Sequence, residues 1–298
     1  MRILLIGATG QLGKTFIKTK PKNIEIIECT RANLDLSNLD ALNDFILNSD
    51  AKFVINSAAY TEVDKAELES ELAYLINAEA PKAIANAVSK TKGSLIHIST
   101  DFVFDGTKNL PYNPKDYVKP LGIYGKSKAK GEEYVLNFKN NLVVRTSWLY
   151  GDFGKNFCLT MLRLHKEKSF TKQPLRVVSD QIGAPTSTYS LSRFCWKIIA
   201  SLTKSKNIPP LLHWCDAGVA SWYDFAVSIG EIAVEKGLIS EAAQVIPIKS
   251  AEYKTLAKRP HFSLLDCQDS KSILKENQLH WREELKKVLE EIKLKKLY

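Results

Sequence analysis

The chain has no apolar run approaching the roughly 18–20 residues that a membrane-spanning helix needs. Its opening stretch, Met1 to Gly7, has an apolar core too short for a secretory signal and runs straight into a glycine turn. Cysteine is scarce. Cys29, Cys158, Cys195, Cys215 and Cys267 are odd in number, widely spaced and without a C-x-x-C pair. That pattern excludes a disulfide framework and a thiolate zinc site, and it fits buried reduced thiols. The five histidines show no H-E-x-x-H or comparable ligand spacing, so no metal is expected. Internal repeats, low-complexity tracts, helix-turn-helix and zinc-finger spacings, and basic segments interleaved with aromatics are all missing. A cytoplasmic, metal-independent protein is expected, with neither nucleic acid nor membrane as a partner.

What is present is ordinary for a soluble globular protein: 298 residues, 45% hydrophobic and 25% charged. That length suits one large α/β domain or two unequal ones. Forty-two basic residues against thirty-three acidic ones leave a net charge of +9. Nucleic acid, an acidic membrane face or a phosphate-bearing small ligand would each suit that excess. Residues 1–22 carry five basic side chains and no acidic one, and residues 155–176 carry six against Glu167 alone.

The first half alternates short apolar runs with helical patterns. Strands are predicted at 3–6, 24–29, 53–55, 95–98 and 142–145, and helices at 11–18, 39–47, 73–89 and 126–138. Strands that read as continuous apolar runs between helices predict a parallel sheet covered on both faces, the doubly wound or Rossmann class of α/β fold. Residues 1–150 are expected to form this dinucleotide-binding domain. Residues 151–298 are expected to form a smaller α/β substrate domain, interleaved with the first because segments near 187–214 return to the sheet. Helices are predicted there at 156–166, 190–202, 222–234 and 281–294, with strand-like runs at 175–179 and 211–214. Leu285, Val288, Leu289 and Ile292 repeat at i, i+3, i+4 and i+7, marking a packed face. The loop 107–120, with three prolines, is long enough to be functional or mobile.

Gly7, Gly10 and Gly13 follow the first strand and open the first helix. Glycines let the backbone approach a pyrophosphate, and the helix N-terminus offers free N–H groups and a partial positive charge. An ordinary βα turn is the alternative. Arg31, just past the second strand, stands where such a fold meets the adenosine ribose; a cation there suits a 2′-phosphate, favouring NADPH with NADH as the alternative. A solvated surface arginine is the plain reading of that position.

Tyr124 and Lys128 lie four apart at a helix start, hence on one face. A phenol with its ordinary pKa near 10 is a poor acid–base group at neutral pH unless a cation stabilises the phenolate. Lys128 is placed to do so and to reach a nicotinamide ribose. Thr100, at the end of a strand, adds a hydroxyl where such sheets bind ligands, able to hydrogen-bond the carbonyl being reduced.

The G-x-x-G-x-x-G spacing of residues 7–13 resembles the extended branch of the short-chain dehydrogenase/reductase superfamily. Longer blocks resemble one family within it, the dTDP-4-dehydrorhamnose reductases. These are N-S-A-A-Y-T-E-V-D-K-A-E at 56–67, S-T-D-F-V-F-D-G at 99–106 and R-T-S-W-L-Y-G at 145–151. D-Q-I-G-A-P-T at 180–186 and R-P-H-F-S-L-L-D at 259–266 complete the set. The resemblance implies NADPH-dependent reduction of the 4-keto group of dTDP-4-dehydro-L-rhamnose to give dTDP-L-rhamnose. It implies Thr100, Tyr124 and Lys128 as the catalytic set. Gln11, Leu12, Asp35, Leu36, Ala58, Ala59 and Tyr60 match residues lining the cofactor. Thr100, Asp101, Trp148 and Arg259 fall where family members meet the sugar nucleotide. An indole can cover an apolar sugar face and an arginine can pair with a diphosphate; a core tryptophan and a surface ion-pair partner are the plainer readings.

Two departures from the family pattern matter. Phe102 replaces a frequent tyrosine, removing a hydrogen bond near the substrate and leaving a dehydratase without its acid. Thr15 stands where some members carry a magnesium-binding glutamate, so the metal is not predicted. Other functions stay open: a reductase or epimerase of another deoxy-sugar nucleotide, whose product differs in stereochemistry at C4, or a regulatory subunit that binds a dinucleotide without reducing anything. A homodimer is the common prior for soluble enzymes.

Overall fold

The computed structural model describes residues 1–91, 93–275 and 277–295. In chain order it begins with β1 (Arg2–Ile6), α1 (Gln11–Thr19), β2 (Glu25–Cys29), α2 (Leu39–Leu47) and β3 (Phe53–Asn56). Next come α3 (Val63–Ala66), α4 (Ser70–Tyr74), a π-turn at Leu75–Glu79, α5 (Ala80–Lys90), β4 (Ser94–Thr100), α6 (Ile123–Leu136) and β5 (Leu142–Thr146). Then follow β6 (Leu149–Tyr150), α7 (Phe157–Thr171), β7 (Leu175–Val178), β8 (Ile182–Gly183), β9 (Thr186–Ser187), α8 (Thr188–Leu202) and β10 (Leu211–His213). The last elements are β11 (Ala220–Ser221), α9 (Trp222–Glu235), β12 (Val245–Ile248), α10 (Gln268–Leu274) and α11 (Trp281–Leu294).

Six strands pair in the order β10-β5-β4-β3-β1-β2, all parallel. β3 and β5 are buried along their whole length and β1 along all but Arg2, which is why they read as unbroken apolar runs. One face of the sheet is covered by α1 and α8, through Leu12, Phe16, Leu191, Phe194 and Ile198. Phe16 and Trp196 meet there edge to face at 5.4 Å. The other face is covered by Leu42, Ile46, Ile84, Val88 and Val135 from α2, α5 and α6. Truncating a fully buried strand residue such as Ile55 to alanine costs about 2–5 kcal/mol on such a face.

The chain winds from β1 to β2 in one direction and then to β3 on the other side of β1. This reversal opens a crevice beyond the carboxyl ends of β1 and β3, where doubly wound sheets bind ligands. Beyond β5 the chain builds a second apolar cluster from Phe225, Ile229, Leu285, Val288, Leu289 and Ile292, all fully buried. The predicted stripe on α11 is therefore the packed face. A parallel pair, β7 with β12, edges this lobe, and a Ser221–Asp224 capping box starts α9. α8 and β10 return to the first sheet, β10 pairing with β5.

The single helix expected over 73–89 is instead α4, a π-turn and α5. Pro81 has no N–H for the carbonyl four residues back, that of Asn77, so the α-ladder cannot run through. The amide N–H of Ala80 reaches back five residues, to the carbonyl of Leu75.

Candidate active site

The turn after β1 is built by backbone contacts that exclude side chains. The Cys29 carbonyl accepts from both Gly7 N and Ala8 N at 3.1 Å, tying the end of β2 to the turn. Gly7 adopts φ +83°, and a Cβ there would lie 2.8 Å from Ala58 N in the segment after β3. A Cβ on Gly13 would stand 2.2 Å from the Gly7 carbonyl oxygen. No side chain caps the α1 N-terminus and no acidic residue occupies its first turn. The turn is thus a bare cradle of amides at a positive helix end, the chemistry a dinucleotide pyrophosphate requires.

Around this cradle Gln11, Ala58, Ala59 and Tyr60 are partly exposed, whereas the Leu12 side chain is buried in the core. Leu12 can therefore face a ligand only through its backbone. The Gln11 side chain bridges to the second lobe, its Nε2 donating to the Leu149 carbonyl at 3.4 Å. Arg31 and Asp35 are exposed beyond β2, and Leu36 is partly buried. Ser37 N–H, chiefly, and then the Arg31 cation hold the Asp35 carboxyl below its ordinary pKa.

The catalytic candidates meet at the carboxyl end of β4. Gly125 lets α6 press against the turn at 101–103, since a Cβ there would lie 2.2 Å from the Phe102 carbonyl oxygen. Tyr124 packs edge to face against Phe102 at 5.6 Å. Burial pushes the phenol up to about 12, while a hydrogen bond with Thr100 pulls the other way. The Thr100 hydroxyl donates its hydrogen to Asp101 Oδ1 at 3.1 Å and accepts from Phe102 N at 3.2 Å. Burial raises the Asp101 carboxyl to about 6, against hydrogen bonds from Ser263 and Thr100.

Tyr124 is partly exposed, whereas Lys128 is buried. Its Nζ donates to the Ile98 carbonyl at 2.7 Å and approaches His97 Nε2 at 3.5 Å, both in β4. Burial lowers its pKa to about 8, partly offset by Glu132 one turn on. The ammonium thus lies under the sheet end, and burial sets the Tyr124 phenol, which is raised and not lowered. His97, buried beside this cation, is held well below its ordinary pKa and is neutral. Asn56 Nδ2 lies 3.1 Å from its Nδ1.

Spacing did not disclose several supporting residues. Asn77, buried in the π-turn, accepts from Tyr60 N at 2.8 Å and donates to Tyr60 O and Ser127 Oγ at 3.1 Å. It thereby joins the segment after β3 to α6, between Tyr124 and Lys128. Arg145 and Glu132 form a buried fork, Nη2 to Oε2 at 2.6 Å. Burial and Arg145 press neighbouring His213 down to about 3, and its Nδ1 lies 3.0 Å from the Tyr112 carbonyl oxygen. A polar residue inside an apolar helical pattern, followed by Pro81, was the available signal for Asn77.

Just beyond β5, Trp148 has φ +44°, a left-handed backbone rare for a bulky residue. Its indole stacks on Trp222 at 3.6 Å, nearly parallel. Gly183 leaves room for it, because a Cβ there would lie 2.8 Å from the Trp148 ring. Trp148 is therefore neither a core residue nor free: one face is covered by a second indole. Arg259 is an ion-pair partner, reaching Asp64 Oδ2 through Nη2 at 2.8 Å. The loop 107–120 is stapled down, Tyr112 exchanging backbone hydrogen bonds with Leu264 and Asp266 at 2.8 and 2.7 Å. Thr15 is buried and hydrogen-bonds Thr188 Oγ1 at 2.9 Å. Among the described residues no helix is long and apolar enough to cross a membrane.

The family described as RmlD substrate binding domain matches residues 1–294. The dTDP-4-dehydrorhamnose reductase of Aggregatibacter actinomycetemcomitans is 36% identical over 291 residues, covering 96% of this chain and 98% of that protein. The spore coat polysaccharide biosynthesis protein SpsK of Bacillus subtilis (strain 168) is 37% identical over 295 residues, covering 97% of each. The crystal structure of a dTDP-4-dehydrorhamnose reductase from Bacillus anthracis str. Ames in complex with NADP is similar at TM-score 0.90 and 33% identity, covering 97% of this chain and 99% of that one. Sheet, cradle and relatives define an NAD(P)H-dependent oxidoreductase. More narrowly, the chain belongs to the dTDP-4-dehydrorhamnose reductase family.

Proposed function

We propose that this chain reduces the 4-keto group of dTDP-4-dehydro-L-rhamnose to give dTDP-L-rhamnose, with NADPH as reductant. The observation that carries the reading is a phenol held protonated, next to the strand-end hydroxyl of Thr100, at the carboxyl end of β4 beside the crevice. When bound, the reduced nicotinamide supplies the hydride. Gly7, Gly10 and Gly13, with the amides of Gln11 and Leu12, would hold the pyrophosphate. Arg31, Asp35 and Leu36 would meet the adenosine end, Arg31 pairing with a 2′-phosphate. Ala58, Ala59 and Tyr60 would line the path towards the nicotinamide, and Lys128 would reach its ribose.

The chain's own groups then manage the proton. A phenol raised to about 12 stays protonated at neutral pH. The alkoxide formed at C4 is more basic than this phenolate, so transfer from Tyr124 runs downhill. Thr100 donates a hydrogen bond to the same oxygen, and the Lys128 cation, within the same buried region, offsets the phenolate left behind. Trp148 would offer the partly exposed part of its indole to the apolar side of the sugar, Asp101 a carboxyl to its hydroxyls, and Arg259 a charge to the diphosphate. A cytoplasmic location accords with five buried, free thiols. The test mixes purified protein with NADPH and dTDP-4-dehydro-L-rhamnose and follows nicotinamide absorbance. Turnover is expected; none on this or any neighbouring 4-keto sugar nucleotide overturns the proposal. Proton NMR of the product separates L-rhamnose from 6-deoxy-L-talose.

A further inference from the structure

Two carboxylates three residues apart sit at the short helix α3, and each reaches a different part of the site. Asp64 Oδ2 and Oδ1 take Arg259 Nη2 and Nη1 at 2.8 and 3.3 Å, and Oδ1 also accepts from Ala257 N at 3.0 Å. Arg259 Nη1 donates to the Ala257 carbonyl at 3.3 Å as well. These contacts occupy the terminal edge of the guanidinium. Among the described residues its Nε–H and second Nη2–H have no partner. They lie side by side on the lateral edge, a spacing that suits two oxygens of a phosphate.

Glu67 points the other way. Its Oε1 accepts from Ile123 N, the first residue of α6, at 2.8 Å. Gly122, the residue before it, supplies no capping side chain, and the first turn of α6 contains no acidic residue. A Cβ on Gly122 would lie 2.5 Å from Glu67 Oε1, so the glycine makes room for the distant carboxylate. An anion there satisfies an orphan amide and complements the positive end of the helix. Tyr124 is the next residue and Lys128 follows one turn later.

We infer that Asp64 and Glu67 are positioning residues with divided tasks: Asp64 aims Arg259 at the substrate's diphosphate, and Glu67 fixes the first turn of α6 beneath Tyr124. The assignment rests on the reductase reading above. It predicts that two neighbouring carboxylates affect different kinetic parameters. Asp64→Ala should raise KM for the sugar nucleotide roughly tenfold, leaving kcat within about twofold, because a charged contact to bound substrate is loosened. Glu67→Ala should lower kcat roughly tenfold with little change in KM, because a misplaced proton donor slows chemistry more than binding. Glu67→Gln keeps the acceptor oxygen and should recover most of that kcat.

Two further measurements do not depend on turnover. Calorimetry with thymidine diphosphate as probe should show weaker binding to Asp64→Ala and unchanged binding to Glu67→Ala. Hydrogen exchange should be faster for the amides of residues 123–127 in Glu67→Ala only. If either alanine variant fails to fold, Asp64→Asn replaces the first and should still weaken thymidine diphosphate binding, while Glu67→Asp, whose carboxylate is one methylene shorter, replaces the second and should still lower kcat and speed exchange at residues 123–127. Equal effects of both variants on one parameter, a glutamine variant no better than alanine, or unchanged binding and exchange would overturn the inference. Absence of wild-type turnover refutes the reductase reading instead, and the two binding and exchange readouts still decide the roles of Asp64 and Glu67.

Discussion

Raising the pH should switch off catalysis through Lys128 and not through Tyr124. Burial disfavours the ammonium and brings Lys128 from an ordinary value of 10.5 to about 8, a preference for the neutral amine worth about 3 kcal/mol. The cationic fraction then falls from ~90% at pH 7 to ~10% at pH 9. The Tyr124 phenol, pushed to about 12, stays protonated throughout that window. If the cation offsets the phenolate formed during reduction, kcat should fall about tenfold per pH unit above roughly 8. The assay is kcat from nicotinamide absorbance at saturating substrates, in constant ionic strength, from pH 6 to 10. Lys128→Arg keeps a charge that does not titrate, so its kcat, though lower, should be level over the same range. A wild-type profile that stays level to pH 10, or an alkaline limb unchanged in Lys128→Arg, refutes the assignment.

Gly7→Ala forces a Cβ against Ala58 at φ +83°; NADPH affinity measured by fluorescence titration should drop at least tenfold, because the cradle must open. Arg31→Ala should weaken NADPH binding by roughly tenfold and leave NADH binding unchanged, as loss of one charged contact to a 2′-phosphate requires; equal losses for both cofactors would place Arg31 elsewhere. Asp216 is buried, accepts from Ser187 N at 2.8 Å, and is raised by burial from 3.8 to about 8. Its folded pKa is above its unfolded one, so its ionisation opposes folding. Stability linked to it is intact below about 4 and is lost as pH rises towards about 8, on the order of 5 kcal/mol in all. Asp216→Asn should therefore raise the melting temperature more at pH 8 than at pH 5, measured by differential scanning calorimetry.

How far the site could be read from the sequence depended on whether its contacts were local. The strands of the central sheet stood out because burial on both faces leaves continuous apolar runs. Tyr124 and Lys128 could be paired because a helix puts residues four apart on one face. What that spacing could not convey was depth. Lys128 reaches under the sheet to the Ile98 carbonyl, and burial then outweighs proximity in setting both pKa values. Arg259 read as a ligand for phosphate, but its clamp, Asp64, lies 195 positions away, beyond any local pattern. Trp148 was expected from the sequence to meet the sugar, whereas its left-handed backbone and its stack on Trp222 depend on how β5 and α9 meet. The break between α4 and α5 was written at Pro81, yet its purpose, freeing Asn77 to hold Tyr60 and Ser127, emerges only from packing.

On this reading, the cleft holds a reduced nicotinamide so that its hydride passes to C4 of a 4-keto sugar nucleotide. Turnover with NADPH carrying deuterium at both nicotinamide C4 positions, followed by NMR of the isolated dTDP-sugar, tests it directly. One deuterium bound to C4 of the deoxyhexose is the predicted result; product without deuterium, or with deuterium at another carbon, contradicts it.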